Sequence, residues 1–374
     1  MKPTRTLGAI GALVLALSAC RRGPPPDFSP DPVLVEQIRE IRMRPLLTRA
    51  CPGESFRVDY EAVLEDGTVV PFATRYDRDA PPRLHVQFLQ RTSPQTHSHG
   101  DGSWTADPDP WVSVLTGFEL EATLRQRPAL AAGVRIAPEY GCLDRRFSFP
   151  GDPGRSPGGR NPEGRNGEPG RDGPDLTVRL GVVRSPFVER LLVAAVEVEG
   201  EPVRYYLADA AGIAPRDWLV IETRGGPGGR GADGAPGQPG TPGTAGCPGG
   251  TGGAGGNGQN GGAGGPGGRG GRITIITASD DRFLAGIVDA RNPGGEEGEG
   301  GKGGSGGLGG AGGPPQRPDC AAGAAGPNGR PGEPGQAGRR GVRGPDPQVI
   351  TVPLRDVFGP RIPPELAELL RREE

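Results

Sequence analysis

The chain has 374 residues, of which 69 are glycine and 44 are proline, so these two types approach a third of the sequence. This content is typical of collagen-like or low-complexity segments and excludes one large hydrophobic core spread over the whole chain. The formal net charge is −2, with basic and acidic residues interspersed, and this pattern gives no indication of a nucleic-acid partner.

The N-terminus has the features of an export signal. Lys2 and Arg5 supply positive charge, and residues 7–17 form an apolar stretch too short to span a bilayer. The sequence Leu17-Ser18-Ala19-Cys20 resembles the lipobox of bacterial lipoproteins. The resemblance implies a signal peptide over residues 1–19 and acylation of Cys20, for instance by palmitate. The other interpretation is an ordinary cleaved signal followed by a chance cysteine.

The lipoprotein resemblance also implies a location and a membrane partner. Two or three acyl chains anchor a protein stably, since each buried CH₂ contributes roughly 0.8 kcal/mol. Residue 21 is Arg, whereas an Asp there is associated in that family with retention in the inner membrane. We therefore expect a lipid-anchored protein of the bacterial cell envelope, with the outer membrane favoured over the inner.

Residues 20–50 are interpreted as the lipid anchor, a proline-rich tether and a short helix. Asp31 has the character of an N-cap with Pro32 at the first helical position. Leu34, Ile38 and Ile41 would share one face of a helix that ends near Arg44. A second short helix, with Leu366, Leu369 and Leu370 on one side, is predicted in the C-terminal tail, residues 353–374.

In residues 51–150 apolar residues recur with a period of two, which is typical of β-strands with one buried face. The alternating apolar residues are Phe56, Val58, Tyr60, Ala62 and Leu64, then Leu84, Val86 and Phe88, then Phe118, Leu120, Ala122 and Leu124. Asp66-Gly67 is a hairpin signal, and His85 would lie on the polar face of its strand. Several short strands predict a β-sandwich, and the segment resembles an immunoglobulin-like module of bacterial surface proteins.

The chain has five cysteines, and export would leave an even number of them available for disulfides. Cys20 takes the lipid, which leaves four cysteines in an oxidising compartment and three ways to pair them. We expect Cys51–Cys142, which brackets the strand-rich segment, and Cys247–Cys320, which lies within two glycine tracts. No CxxC or His-Cys spacing indicates zinc.

Glycine recurs every third residue from Gly225 to Gly270 without a break. A second run extends over residues 295–313 and resumes over 323–344, and a shorter, interrupted one occupies residues 151–173. Strict period-three glycine favours the polyproline-II form, which rises about 3.1 Å per residue. The organisation expected is an excursion at residues 151–174 and a β-scaffold at residues 175–352 that carries tracts 225–271 and 293–346.

Strand-like segments flank every tract, and sequential strands are usually neighbours. A straight tract from Gly225 to Gly271 would separate its flanking strands by roughly 140 Å, so we predict that each tract folds back near its middle into a hairpin. Cys247 and Cys320 lie near the midpoints, where a disulfide would join two hairpin tips. Gly-Gly-X triplets would suit an arm packed on two sides, whereas an outer arm tolerates proline.

The triplet pattern resembles the antiparallel polyglycine-II bundles of certain antifreeze proteins and phage adhesins, over roughly residues 225–345. One alternative is a collagen triple helix, which needs three parallel chains and would make the protein a homotrimer. The other is disorder, because tracts this polar bury little apolar surface. The bundle interpretation favours a monomer.

The sequence contains one candidate pattern of metal ligands. His97, His99 and Asp101 resemble the HxHxD ligand spacing of metal-dependent hydrolases, but the further histidines of that pattern are missing, and a solvated loop is the interpretation chosen. No nucleophile elbow or P-loop occurs, so neither a catalytic residue nor a cofactor is expected.

The sequence therefore predicts a mainly β protein: a β-sandwich followed by a β-scaffold with glycine-triplet hairpins, and two short terminal helices. The function expected is non-enzymatic, namely a structural, spacer or adhesive envelope lipoprotein. The alternatives are a glycan- or protein-binding module in residues 51–150 spaced by the tracts, and a collagen-like trimeric stalk.

Overall fold

The structure is a computed structural model that describes residues 24–25, 27–158, 163–211 and 219–373. Strand accounts for 30% of the residues and helix for 10%, so the fold is mainly β, as predicted. The chain forms two compact units, residues 1–139 and residues 140–374. None of the helices within the described ranges has the length and apolarity needed to cross a membrane.

The first unit contains helix α1 (Pro32–Gln37) and two sheets. In chain order its strands are β1 (Ile38–Pro45), β2 (Arg49–Ala50), β3 (Ser55–Leu64), β4 (Val69–Pro71), β5 (Leu89–Thr92), β6 (Thr96–Ser98), β7 (Ser103–Ala106), β8 (Phe118–Leu124) and β9 (Arg127–Pro138). One sheet has the order β1-β3-β7-β6, with β4 paired to β3, and the other has the order β2-β9-β8-β5. All pairs are antiparallel except β2 with β9.

Strands β3 and β8 confirm the period-two prediction. Their alternating apolar side chains are buried in one cluster: Phe56, Val58, Tyr60, Ala62, Leu64, Phe118, Leu120, Ala122 and Leu124. The hairpin between β3 and β4 turns at Gly67, whose φ of +83° favours glycine. The indole N–H of Trp104 donates to the Tyr60 hydroxyl (2.6 Å), which satisfies a polar pair inside this core.

Helix α1 is shorter than predicted. The Asp31 carboxylate accepts from the Val33 N–H (3.0 Å), so the predicted N-cap is confirmed. The helix ends at Gln37 rather than near Arg44, and the chain continues as β1. A register shift between Ile38 and Glu40 lets Ile38 and Ile41, three residues apart, both face the core. This bulge reproduces a helical spacing within a strand, which explains the error.

The prediction for His85 was wrong. Residues 84, 86 and 88 are buried as expected, but residues Val86–Phe88 form a 3₁₀ turn, and the strand follows only at β5. The Nδ1 atom of His85 accepts from the Gln87 N–H (3.2 Å) at the start of this turn, and the side chain is 2% exposed. A side-chain cap has drawn the histidine inward, which the alternation alone does not show.

Burial of His85 makes the stability of the first unit dependent on pH. Desolvation lowers the pKa of the imidazole below its ordinary value near 6.5, and the positive charge of Arg91 lowers it further. Below about pH 6.5 the unfolded chain therefore takes up a proton that the folded chain resists, so this contribution is present above that pH and is lost as the pH falls. We expect the urea midpoint, followed by tryptophan fluorescence, to drop between pH 7.5 and 5.0.

The matched variant is His85→Gln, which retains a polar side chain but has no group that titrates in this range. Its urea midpoint should fall less between the two pH values than that of the unsubstituted chain. An equal fall in both proteins would assign the pH dependence to other groups.

The second unit contains eight strands, two α-helices and a 3₁₀ helix (Ser279–Ile287) in the part of the chain that is described. The strands and α-helices are β10 (Arg146–Ser148), β11 (Leu176–Val183), β12 (Leu191–Val198), β13 (Arg204–Asp209), β14 (Leu219–Glu222), β15 (Ile273–Ala278), β16 (Val288–Arg291), β17 (Gln348–Val352), α2 (Leu354–Val357) and α3 (Pro364–Arg371). Helix α3 buries Leu366 and Leu369, as predicted for the C-terminal helix. The strands form two sheets, ordered β10-β14-β16 and β13-β12-β11-β15-β17.

The two sheets of the second unit share one hydrophobic core. Its buried residues come from both sheets and include Leu219 and Ile221 of β14, Leu176 and Val178 of β11, and Ile273 and Ile275 of β15. Strands β10, β14 and β16 are parallel to each other, and so are β11, β15 and β17. Each glycine tract leaves one of the first three strands and returns to one of the second three. Since neighbouring strands lie about 4.8 Å apart, the three tracts begin and end side by side.

Candidate functional site: the glycine hairpins

The tract between β14 and β15 is a hairpin, here hairpin B, with arms B1 (225–246) and B2 (249–271). At regular three-residue steps an N–H of B2 donates to a carbonyl of B1, from Gly250 to Thr244 (2.8 Å) near the tip to Gly268 to Gly226 (2.8 Å) near the base. The donor number falls as the acceptor number rises along this ladder, so the two arms are antiparallel.

The other two tracts pair in the same way. Hairpin C, between β16 and β17, has arms C1 (294–314) and C2 (321–344), joined from Gly323 to Gly313 (2.9 Å) through to Gly341 to Gly295 (2.9 Å). Hairpin A, between β10 and β11, is shorter. Its arms A1 (151–158) and A2 (163–173) are joined by the N–H groups of Glu168 and Arg171, and its residues 159–162 lie outside the described chain.

Hydrogen bonds also join the hairpins to each other, so that the six arms form two rows of three. A1, B1 and C1 are parallel neighbours in one row, and A2, B2 and C2 are parallel neighbours in the other. A2 also contacts B1, and B2 also contacts C1, in antiparallel fashion. Representative donors and acceptors are Gly154 to Pro227, Gly228 to Glu296, Gly170 to Pro266, Gly252 to Ala324, Gly229 to Glu168 and Gly298 to Gly265, all at 2.8–2.9 Å.

Glycine is required in these contacts because backbone packs directly against backbone. A Cβ built on Gly265 would lie closer than 3.0 Å to the carbonyl oxygen of Glu168 in A2, and one built on Gly264 would lie equally close to that of Gly298 in C1. No rotamer change relieves a clash between a Cβ and a neighbouring main chain. Both faces of B2 therefore need to lack side chains at the level of Gly264 and Gly265.

The distribution of doubled glycines follows the packing. B2 is bonded to four other arms and C1 to three, and both consist largely of Gly-Gly-X triplets, whereas C2, which is bonded only to B2 and C1, has single glycines and prolines. B1 changes along its length: it begins with Gly-Gly-X triplets where it faces hairpin A, and residues 234–242 are Gly-X-Pro triplets. The number of glycines in each triplet therefore reflects how closely other arms pack against that part of the arm.

Asparagine and aspartate at the third triplet position provide a second type of contact, which the sequence analysis did not identify. Each accepts from a main-chain N–H of an adjacent arm at 2.7–2.9 Å. The pairs are Asp172 with Arg269, Asn166 with Ala263, Asp233 with Lys302, Asn257 with Arg330, Asn260 with Glu333 and Asn328 with Gly309. Short polar side chains in otherwise glycine-rich triplets were the available signal.

Both predicted disulfides are confirmed: Cys51 is bonded to Cys142, and Cys247 to Cys320. The second bond lies where hairpins B and C turn. There the Gln316 N–H also donates to the Gly246 carbonyl (2.9 Å), so the two tips are linked covalently and by hydrogen bonding.

The HxHxD residues are not assembled as a metal centre. His99 Nε2 lies 2.7 Å from the Thr105 hydroxyl, and His97 is exposed. Hydrogen bonds from the hydroxyl (2.6 Å) and N–H (3.1 Å) of Ser103 hold the pKa of the Asp101 carboxyl below its ordinary value. Over the described ranges no three His, Cys, Asp or Glu side chains are placed to hold a metal ion.

The first unit has a cleft of about 600 Å³ whose lining includes charged residues. Its lining is rich in charge of both signs: Arg57, Asp59, Arg75 and Asp101, with Leu46 and Thr74 beside them. A cleft with this lining suits a polar ligand that has several hydrogen-bonding groups.

The lipobox, with Cys20, lies outside the described residues, so the lipid site remains a prediction from the sequence. No protein-family model matches the chain, and no curated protein matches it.

Proposed function

We propose that the chain is a non-enzymatic bacterial envelope lipoprotein in which glycine-triplet hairpins form a stiff spacer or adhesive platform. The observation that carries the proposal is the hydrogen-bond ladder that joins six arms in register. Period-three donors and bare glycine edges suit a polyglycine-II bundle. At about 3.1 Å per residue, an arm such as B1 would extend roughly 65 Å.

The remaining parts of the chain fit this role. A lipid on Cys20 would anchor the protein, with the outer membrane favoured, and the proline-rich residues that follow would hold the folded units away from the bilayer. Two disulfides are suited to an oxidising compartment outside the cytoplasm. We also propose that the two sheets of the first unit form an immunoglobulin-like sandwich, and that the protein is a monomer, since the hairpins pair within one chain.

The anchor can be tested by expressing the full chain in a bacterium supplied with labelled palmitate. The unsubstituted chain should be labelled and sediment with the membranes, because Cys20 is the proposed acceptor. Cys20→Ser should remove the label and release the protein. A chain that lacks most of hairpins B and C, residues 228–267 and 297–340, but keeps strands β14 to β17 is the control, which should still be labelled. Label retained by Cys20→Ser would contradict the proposal.

The same deletion separates the platform from the alternative function. The cleft of the first unit favours a module that binds a glycan or protein within residues 51–150. If envelope adhesion depends on the hairpins, it should be lost when residues 228–267 and 297–340 are removed. Adhesion that survives the deletion would favour the alternative.

A further inference from the structure

Hairpin A covers only the lower part of hairpin B. A2 ends near Gln259, whose side chain reaches the Glu163 carbonyl (3.4 Å). B1 and B2 continue beyond this level for about three more triplets. Among the described residues, no arm lies in line with A2 along this upper part.

The contacts of A2 with B1 and B2 lower down show which main-chain groups a strand in line with A2 can bond to. On one side, three N–H groups of B1 (Gly226, Gly229 and Ala232) donate to A2 carbonyls at 2.7–2.9 Å. On the other side, the glycine N–H groups of A2 donate to three B2 carbonyls at 2.8–2.9 Å, those of Ala263, Pro266 and Arg269. A strand in the position of A2 is therefore hydrogen-bonded to B1 on one side and to B2 on the other at every triplet.

The same rows of groups continue above the end of A2. On B1 they are the N–H groups of Gln238, Thr241 and Thr244, and on B2 the carbonyls of Thr251, Ala254 and Asn257. None of these six groups has a hydrogen-bond partner within the described chain. We call the surface between these two rows the open track.

The floor of the open track is also bare. Gly250, Gly253 and Gly256 occupy the positions that correspond to Gly262, Gly265 and Gly268 under A2. The lower three are buried, whereas Gly256 is exposed and the other two are half-buried. A Cβ on Gly253 would meet the Thr241 hydroxyl at 2.7 Å, so a rotatable side chain occupies part of the space.

We propose that the open track binds an unpaired glycine-triplet strand of another protein, which extends the row of A2 and runs parallel to B2. The track continues an interface already formed within the chain, and its three free donors and three free acceptors match one strand of about nine residues. A glycine every third residue is needed on the incoming strand because its main chain must approach B1 and B2 as closely as A2 does.

A second folded copy of this chain cannot supply the strand in the same way. The glycine N–H groups that would face B2 are already bonded in the edge arms, in A1 at Gly151 and Gly154 and in C2 from Gly323 to Gly344. The partner is therefore a glycine-triplet segment that is not paired in a bundle of its own.

The probe is a labelled peptide with the sequence of residues 164–173, titrated to millimolar concentration against the exported Cys20→Ser chain. NMR should show saturable shifts at the amides of residues 238, 241 and 244. A peptide with alanine at the positions of Gly167 and Gly170 is the matched control and should not bind. Equal binding of both peptides, or no saturable shift with the first, would overturn the proposal.

Proline substitutions test the donors themselves. Gln238→Pro with Thr241→Pro removes two N–H groups that are unbonded in the free protein, within triplets that already carry proline at the next position, so the hairpin should fold. Peptide affinity should fall about twentyfold relative to Gln238→Ala with Thr241→Ala, since one hydrogen bond corresponds to roughly fivefold. Equal affinity of the two double variants would contradict the proposed contact.

This inference rests on the ordered hairpins of the proposed function, and amide exchange on the same sample separates the two. Protected triplet glycines without peptide binding would eliminate the open track alone. Unprotected glycines would eliminate the platform as well.

Discussion

Gly265→Ala is expected to open the centre of the bundle. Its Cβ would lie against the main chain of Glu168 in A2, and Gly265 also bonds to B1 through its N–H and to C1 through its carbonyl. Because backbone on three arms must move, we expect a loss of about 3 kcal/mol or more, at the upper end for overpacking. The thermal unfolding temperature of the second unit should fall by several degrees.

Amide hydrogen exchange measures which hydrogen bonds are lost in this variant. In the unsubstituted chain, protection should follow the triplets, because main-chain bonds hold one amide in three along C2 and two in three along B2. Asparagine and aspartate side chains should slow four further amides, those of Arg330 and Glu333 in C2 and of Ala263 and Arg269 in B2. Gly265→Ala should abolish the pattern in all three hairpins near that level.

Gly158→Ala is the matched control within a tract. A Cβ at Gly158 meets no atom of the described residues within 4 Å, so this variant should keep both the unfolding temperature and the exchange pattern. If the two alanine variants behave alike, direct main-chain packing is not what holds the arms together.

Removal of the tip disulfide is the second large effect expected. Cys247→Ser with Cys320→Ser opens a covalent loop of 73 residues, which corresponds to about 4 kcal/mol in the chain-entropy treatment. The base of each hairpin is still held by strands β14 to β17, so we expect the loss to be expressed at the free end. Exchange should accelerate at Gly250 and Gly313 and change little at Gly268 and Gly295.

The control for this variant is the base of the same molecule, measured in the same experiment. Uniform acceleration from tip to base would mean that the arms unfold as one unit. Unchanged exchange at the tips would mean that hydrogen bonds alone hold the ends.

The parts of the fold that local patterns specify were accessible from the sequence. Strands β3 and β8 each bury one face, so their apolar residues alternate, and the Asp66-Gly67 turn follows from the need for positive φ. The cysteine pairs were accessible because the candidates were few and each pair bracketed a distinct segment. Neither inference needed long-range information.

Most of what could not be predicted depends on contacts between distant segments, and the position of His85 depends on a local turn. The end of α1 at Gln37 depends on β1 pairing with β3, and three carbonyls near this point accept from the Arg127 guanidinium at 2.8–3.0 Å. The inward position of His85 depends on a local cap in a turn of irregular shape. The order of the arms depends on the parallel pairing of β10, β14 and β16, which short sequence windows do not encode.

The uneven hairpins imply a rule for how such a molecule can change in size. Every arm is bonded to its neighbours at intervals of three residues, so one extra residue in a single arm would break each later bond. One whole triplet added to both arms of a hairpin would keep the pairing and add a step of about 9 Å. Hairpin A, which stops well below hairpin B, shows that lengths need not match. The length of a hairpin would therefore vary among related proteins in steps of one triplet, while the outward-facing residues remain free to diverge.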